Sequence, residues 1–388
     1  MTLVPELRGT LAPGFERVGD AFLANFAQHG EVGAACAVSL DGEPVVDVWA
    51  GQADVESGRA WDRDTIVIVF SCTKGVMAVA ANQLIEQGRL DPDAPVAEYW
   101  PEFAANGKGS IPVAWVLSHR AGLAAIDDPN LTLDDVASWD PVIAAIAAQE
   151  PNWEPGTKHG YHARTYGWMT GELVRRITGL MPRAYVAQQI AGPLDLDFSI
   201  GVEQADDHRV ATLYPAQFDD PEIEKLASEV LRDPSTMLGR VMGGPSALFA
   251  YDDMWNTRLM RGAQMPSSNG HGDARALSRM YAACLDEIDG VRLLAPETVA
   301  RATEMRSSGT DCVIGQPLSF GLGFGLSPTF GPTVGPRAFG HSGAGGSIAF
   351  ADPDRGLTFA YVMNQMRLSM SEPDPRGQGL IEAAYGAS

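Results

Sequence analysis

The sequence predicts a mixed α/β (α+β) chain in which one antiparallel sheet is built from both termini, flanked by helices, and interrupted by a mostly helical insertion. Three observations point there. Short strand-like runs bounded by turn residues cluster near the two ends. The long middle carries helical periodicity and polar loops. The 388 residues, 45% of them hydrophobic, can bury a large core in one or two domains. The expected division is a discontinuous sheet domain, residues 1–90 with 291–388, and a helical domain over 91–290, with the active site in the cleft between them.

In chain order, Gly14 to Ala27 reads as an amphipathic helix. Gly33–Leu40 and Pro44–Ala50 flank Asp41-Gly42, a pair that tolerates the positive φ of a tight hairpin turn. The apolar run Thr65–Phe70 leads into a helix over Val76 to Gly88, where Val76, Val79, Ala80, Leu84 and Ile85 recur at helical spacing. A second helix is expected over Thr165–Thr178, with Trp168, Leu173, Val174 and Ile177 apolar and Gly179 as its stop. The turn-rich loop Pro266–Gly272 reads equally as a pocket border or a plain surface loop. Gly346–Ala351 and Leu357–Met363 form a second hairpin across Asp352–Gly356, and Gly377–Ala387 closes the domain as a helix.

Charge and cysteine usage exclude several classes. A net charge of −21 opposes sequence-independent nucleic-acid binding, which needs a basic face, and an anionic membrane surface. No apolar run approaches a membrane span. The segment Met1–Arg8 has no basic stretch followed by an apolar one, so a cytoplasmic location is the expectation. Cys36, Cys72, Cys284 and Cys312 show no metal or redox spacing, and Cys72 reads as a small packing residue. His159 and His162 lack a second ligand pair, so neither metal nor cofactor is expected. The oligomeric state stays open, a homo-oligomer included.

The chemistry is carried by Val69-Phe70-Ser71-Cys72-Thr73-Lys74-Gly75. Residues three apart share a helical face, so Ser71 Oγ and Lys74 Nζ can meet. The helix N-terminus favours negative charge on the serine oxygen, and desolvation of the amine promotes the neutral form a base requires. Tyr161 lies in a loop at the entrance of the Thr165 helix, where a phenol can project into a cleft; taken alone, it is better read as a packing aromatic. Phe339–Gly346 is a glycine-rich approach to a strand, allowing close main-chain contact. Ser342 within it is a poor nucleophile candidate, because no G-x-S-x-G elbow surrounds it.

These pieces, in this order, resemble the serine β-lactamase and penicillin-binding-protein superfamily, and more closely its family VIII carboxylesterases, which share the class C β-lactamase fold. Supporting stretches are Val116–Leu123, Trp153–Ala163 with Gly167-Trp168, Phe320–Leu326 and Gly340–Ser347, so the resemblance covers nearly the whole chain. It implies a β-lactamase-like sheet, an acyl-enzyme on Ser71, activation by Lys74, and proton transfer through Tyr161, which matches the tyrosine of Y-x-N. His341-Ser342-Gly343 stands where the family has K-T-G, and the backbone N–H groups of Ser71 and Ala344 would form the oxyanion hole. Substrate contact is expected of His341, Ser342, Gly343, Trp153 and His162. Trp168, Trp255 and Phe324 are better read as core than as an acyl pocket.

Two departures separate the subfamilies. Ala163 replaces the asparagine of Y-x-N, and His341 replaces the lysine of K-T-G. Both losses weaken recognition of anionic β-lactams and leave a small neutral ester less affected. The expected activity is therefore a carboxylesterase, with a β-lactamase, peptidase-like hydrolase or acyltransferase using the same acyl-enzyme as the alternative. A non-catalytic binding protein is disfavoured because Ser71, Lys74 and Tyr161 are all present.

Overall fold

The structure, a computed structural model, describes residues 5–216, 221–368 and 373–387. Met1–Val4, part of the segment read for a leader, lie outside the described residues. A ten-stranded sheet runs in the order β1 (Arg8–Leu11), β3 (Glu43–Asp54), β2 (Gly33–Leu40), β13 (Leu357–Met363), β12 (Ile348–Asp352), β11 (Phe339–Ser342), β10 (Gly325–Leu326), β9 (Pro317–Phe320) and β8 (Ser307–Thr310), with β4 (Arg59–Ala60) paired to β3. All its pairings are antiparallel. At its centre β2 pairs with β13, from Leu40 opposite Leu357 to Ala34 opposite Met363. Strands from both termini therefore share one sheet, as the sequence predicts. A small second sheet joins β5 (Val67–Ile68), β7 (Gly270–Gly272) and β6 (Phe198–Ile200).

The hairpin between β2 and β3 turns through Asp41 at φ 49° and Gly42 at φ 83°. Two consecutive positive φ values make a turn whose twist matches the strands. The other predicted elements fall close to their expected places: helices span Glu16–Gln28, Cys72–Glu86, Thr165–Thr178 and Pro375–Tyr385, and Gly179 ends the third at φ 77°.

Side-chain size sorts the two faces of the sheet. Alternate residues of a strand point to opposite faces. On one face the large residues Phe350, Leu357, Phe359 and Tyr361 pack with Phe22 and Phe26 of the Glu16–Gln28 helix and Leu380, Ile381 and Tyr385 of the Pro375–Tyr385 helix. On the other, Ala35, Ala37, Ala349, Ala351 and Ala360 lie in the main core with the Cys72–Glu86 and Ala274–Leu285 helices. Small residues there let the helices approach closely, and Ser278 Oγ reaches Thr358 Oγ1 at 2.8 Å.

That contact lies within the stretch expected as the helical insertion, short of the expected boundary at residue 290. The Ala274–Leu285 helix packs on β2, β12 and β13. Strands β6 to β10 escaped the sequence reading because runs of two to four residues are too short for alternation to register. No helix among the described residues is long and apolar enough to cross a membrane.

Candidate active site

Strand β5 delivers Ser71 to the head of the Cys72–Glu86 helix through a single sharp residue, Phe70, at φ 43°. A bulky non-glycine residue seldom adopts that conformation, and its cost is of order 1–3 kcal/mol. Surrounding contacts hold it. The Phe70 ring packs edge-on against Trp255 at 5.2 Å and Tyr251 at 5.7 Å. Thr73 Oγ1 donates to Phe70 O at 2.5 Å and accepts from Gly270 N–H at 2.9 Å, tying the turn to β7. Gly75 follows because a Cβ there would meet the Tyr281 hydroxyl at 2.1 Å.

Lys74 is fully buried and its Nζ has three oxygen neighbours: Ser71 Oγ at 3.0 Å, Ala163 O at 2.8 Å and Ser267 O at 2.9 Å. The two carbonyls can only accept, so they match the two N–H bonds of a neutral amine and leave its lone pair for the serine hydroxyl. Burial holds the amine well below its ordinary range, and the Arg164 guanidinium lowers it further. The loop Pro266–Gly272 is thus no surface loop: Ser267, Ser268 and Asn269 are buried, and it continues into β7.

Tyr161 lies beside this pair, with Lys74 Nζ 4.9 Å from its ring centre. Burial pushes its phenol far above the usual range, while a hydrogen bond with Ser71 acts in the opposite direction. Phe320 stacks over the ring at 6.2 Å and His119 packs behind it at 5.1 Å. His162 N–H donates to His119 Nδ1 at 3.0 Å, fixing the segment that carries Tyr161.

Two residues expected to meet substrate, His162 and Trp153, do not line the cavity wall. His162 is fully buried; its Nε2 accepts from Leu123 N–H at 3.0 Å, so its Nδ1–H donates to Gly160 O at 2.6 Å. Both ring nitrogens are occupied, and the residue braces the loop instead of meeting substrate. Trp153 packs edge-on against His162 at 5.6 Å and does not reach the cavity wall either. Trp168, Trp255 and Phe324 are buried in the core.

The glycine-rich stretch forms the opposite wall. Gly343 must be glycine, because a Cβ there would lie 2.3 Å from Val69 O on the segment leading to Ser71. Gly345 at φ 87° and Gly346 at φ 124° carry the chain back into β12. Among the described residues neither Ser71 N–H nor Ala344 N–H donates to another backbone group, so both remain available to an oxygen anion. His341 Nδ1 lies 2.7 Å from Ser342 O, which leaves Nε2 as an unpartnered acceptor. Burial drops its pKa to about 3, so the ring is neutral where K-T-G would place a cation.

A buried ion cluster supports this wall. Arg376 donates to Gly345 O at 2.7 Å and Gln365 O at 2.8 Å, and its guanidinium also meets the carboxylates of Glu31 at 3.2 Å and Asp374 at 2.7 Å. Burial raises the Glu31 carboxyl to about 7 against the pull of Arg376.

Ser71, Tyr161, His341, Ser342, Gly343 and Ala344 share one cavity of about 280 Å³. Most of the remaining wall is apolar, including Met242, Ile314, Leu318, Phe320 and Phe330. The sequence profile of the Beta-lactamase family matches residues 16–382. The chain belongs to the Beta-lactamase family. It is similar to Esterase/beta-lactamase LipL of Mycobacterium tuberculosis, 37% identical over 378 residues that cover 95% of this chain and 85% of LipL. A crystal structure of a family VIII carboxylesterase superposes with a TM-score of 0.88 at 38% identity, covering 99% of this chain and all of that one. EstA from Arthrobacter nitroguajacolicus Rue61a gives 0.84 at 33% identity over 97% of both chains.

Within this Beta-lactamase family chain, three participants went unread in the sequence. What Ser267 gives Lys74 is its carbonyl, which no side-chain pattern can reveal. Arg376 lies 31 residues beyond the carbonyl it holds. Arg164, in the cavity wall, could have been noticed as a charge three residues after Tyr161 at the mouth of an apolar helix.

Proposed function

We propose that the protein hydrolyses small carboxylic esters through an acyl-enzyme on Ser71. The reading rests on one observation above the others: a buried lysine whose amine has two carbonyl acceptors and one serine hydroxyl around it. Ser71 Oγ attacks the ester carbonyl as its proton passes to Lys74 Nζ. The N–H groups of Ser71 and Ala344 receive the developing oxyanion; one such donor is typically worth about 3–4 kcal/mol. Burial lowers the Lys74 pKa and raises that of Tyr161, which supports the amine as base and the phenol as proton carrier. The alkoxide then leaves with a proton relayed through Tyr161, and water cleaves the acyl-enzyme by the reverse path.

The neutral His341 ring and the methyl of Ala163 favour an ester over an anionic β-lactam. LipL carries both activities in its name, so slow β-lactam cleavage is the expected side reaction. Wild type and Ser71→Ala should be assayed on p-nitrophenyl butyrate and on a chromogenic cephalosporin, with intact mass to detect the acyl-enzyme. Ester turnover that disappears in the variant, with little cephalosporin cleavage, is expected. Efficient cephalosporin hydrolysis with poor ester turnover would overturn the ester reading.

A further inference from the structure

Arg164 is a buried cation with no anion beside it among the described residues. It is 4% exposed and stands in the wall of the cavity that holds Ser71. Its Nη1 donates to Ser268 Oγ at 3.1 Å and its Nη2 to Met242 O at 3.2 Å, while Nε has no partner among the described residues. None of the ion pairs among the described residues includes it, although the chain carries 49 aspartates and glutamates. Three aromatic rings surround the guanidinium instead: Phe249 at 4.8 Å, Trp255 at 5.1 Å and Tyr251 at 5.6 Å.

The other buried guanidinium shows what is missing. Arg376 has the carboxylates of Glu31 and Asp374 against it. An arginine cannot escape burial by losing its proton, and removing an unpaired charge from water is costly. Aromatic faces offset part of that cost. They supply no strong hydrogen-bond acceptor, and the two oxygens of Ser268 and Met242 do not exhaust five N–H donors. Lys74 and His341, the other basic groups of the site, are held neutral by burial. Among the described residues Arg164 is therefore the fixed positive charge of the cavity.

We propose that Arg164 binds a carboxylate carried by the substrate itself, so that the preferred esters are half-esters of short dicarboxylic acids. The acyl chain lies along the apolar wall and its far carboxylate pairs with the guanidinium, completing the ion pair the fold leaves open. This inference rests on the ester-hydrolase reading of the same cavity and names its substrate class. The chemistry of the ester step is unchanged: the methanol or other alcohol leaves from Ser71's tetrahedral adduct, and water releases the diacid.

The test compares monomethyl glutarate and monomethyl adipate with methyl valerate and methyl hexanoate by pH-stat titration, in wild type, Arg164→Met and Arg164→Lys. The readout is the ratio of kcat/KM for charged over neutral ester within each protein, because Arg164 also acts on Lys74. Wild type should prefer the charged ester by at least about tenfold, the scale of one charge-assisted hydrogen bond. Arg164→Met should bring the ratio to one or below, and Arg164→Lys should retain part of it. Glutarate should also inhibit wild-type hydrolysis of methyl valerate competitively, a measurement that needs no variant to fold. Wild type that cleaves the neutral esters, rejects the charged ones and ignores glutarate would overturn the Arg164 inference and leave the ester reading standing. No turnover of either ester would overturn both.

Discussion

Ser71 and Lys74 sit one turn apart on a single helix and meet at 3.0 Å, whereas the glycine-rich wall opposite them is tied down by Arg376, whose partner Glu31 lies 345 residues away. One half of the site is made by helix geometry, the other by tertiary assembly. Damage to the first should remove chemistry and spare the fold. Damage to the second should touch both.

The sharpest form of that contrast is Ser71→Ala, which should lower kcat by about 10⁴-fold or more with the melting temperature nearly unchanged. Substantial ester turnover in that variant would remove the nucleophile from the local half. Lys74→Met should lose about 10²–10⁴-fold in kcat, the usual range for a general base. Its wild-type counterpart should keep a pH–rate limb far below the ordinary amine value of 10.5, because burial favours the uncharged form. A limb near 10.5 would contradict a desolvated amine.

The remote half predicts a different signature. Arg376→Gln should reduce kcat more than it raises KM, by up to about 10²-fold if the Ala344 N–H drifts from its place. It should also cost about 3–5 kcal/mol of stability, since the buried Glu31 carboxylate and the partly exposed Asp374 lose their partner. Denaturant titration beside steady-state kinetics separates the two, and full kcat in a folded Arg376→Gln would break the link between cluster and wall.

A last expected effect spans both halves. His162, His271 and His341 are buried with pKa values of about 4, 3 and 3, and His119 is likewise depressed. Between those values and the unfolded value near 6.5, the unfolded chain binds more protons than the folded one. Stability therefore falls as pH drops below about 6.5, by at most about 1.4 kcal/mol per pH unit for each histidine. Urea midpoints at pH 7.5 and 5.0 check this, and a midpoint that does not fall at pH 5.0 would contradict neutral burial of the four rings.

The same contrast governs what the sequence discloses. The hairpin at Asp41-Gly42 and the Thr165–Thr178 helix with its Gly179 stop were legible because their signals lie within a few residues. So was the Ser71–Lys74 spacing. Strands β8 to β10 were too short to show a period, and the carbonyl of Ser267 carries no residue-type signal at all. His162 and Trp153 misled for the opposite reason: their position beside Tyr161 suggested substrate, while their hydrogen bonding and packing face inward. Family resemblance supplied the order of the motifs, and only the packing distinguished supports from walls.

The pairing of β2 with β13, sealed by Arg376, also imposes an order in time. During synthesis a ribosome releases Ser71, Lys74 and Tyr161 long before residues 357–376 exist, so the central strand lacks its neighbour and the glycine loop its anchor. Pairings so distant in sequence form late. On the proposed mechanism, a nascent chain can thus carry nucleophile, base and proton carrier and still be chemically silent.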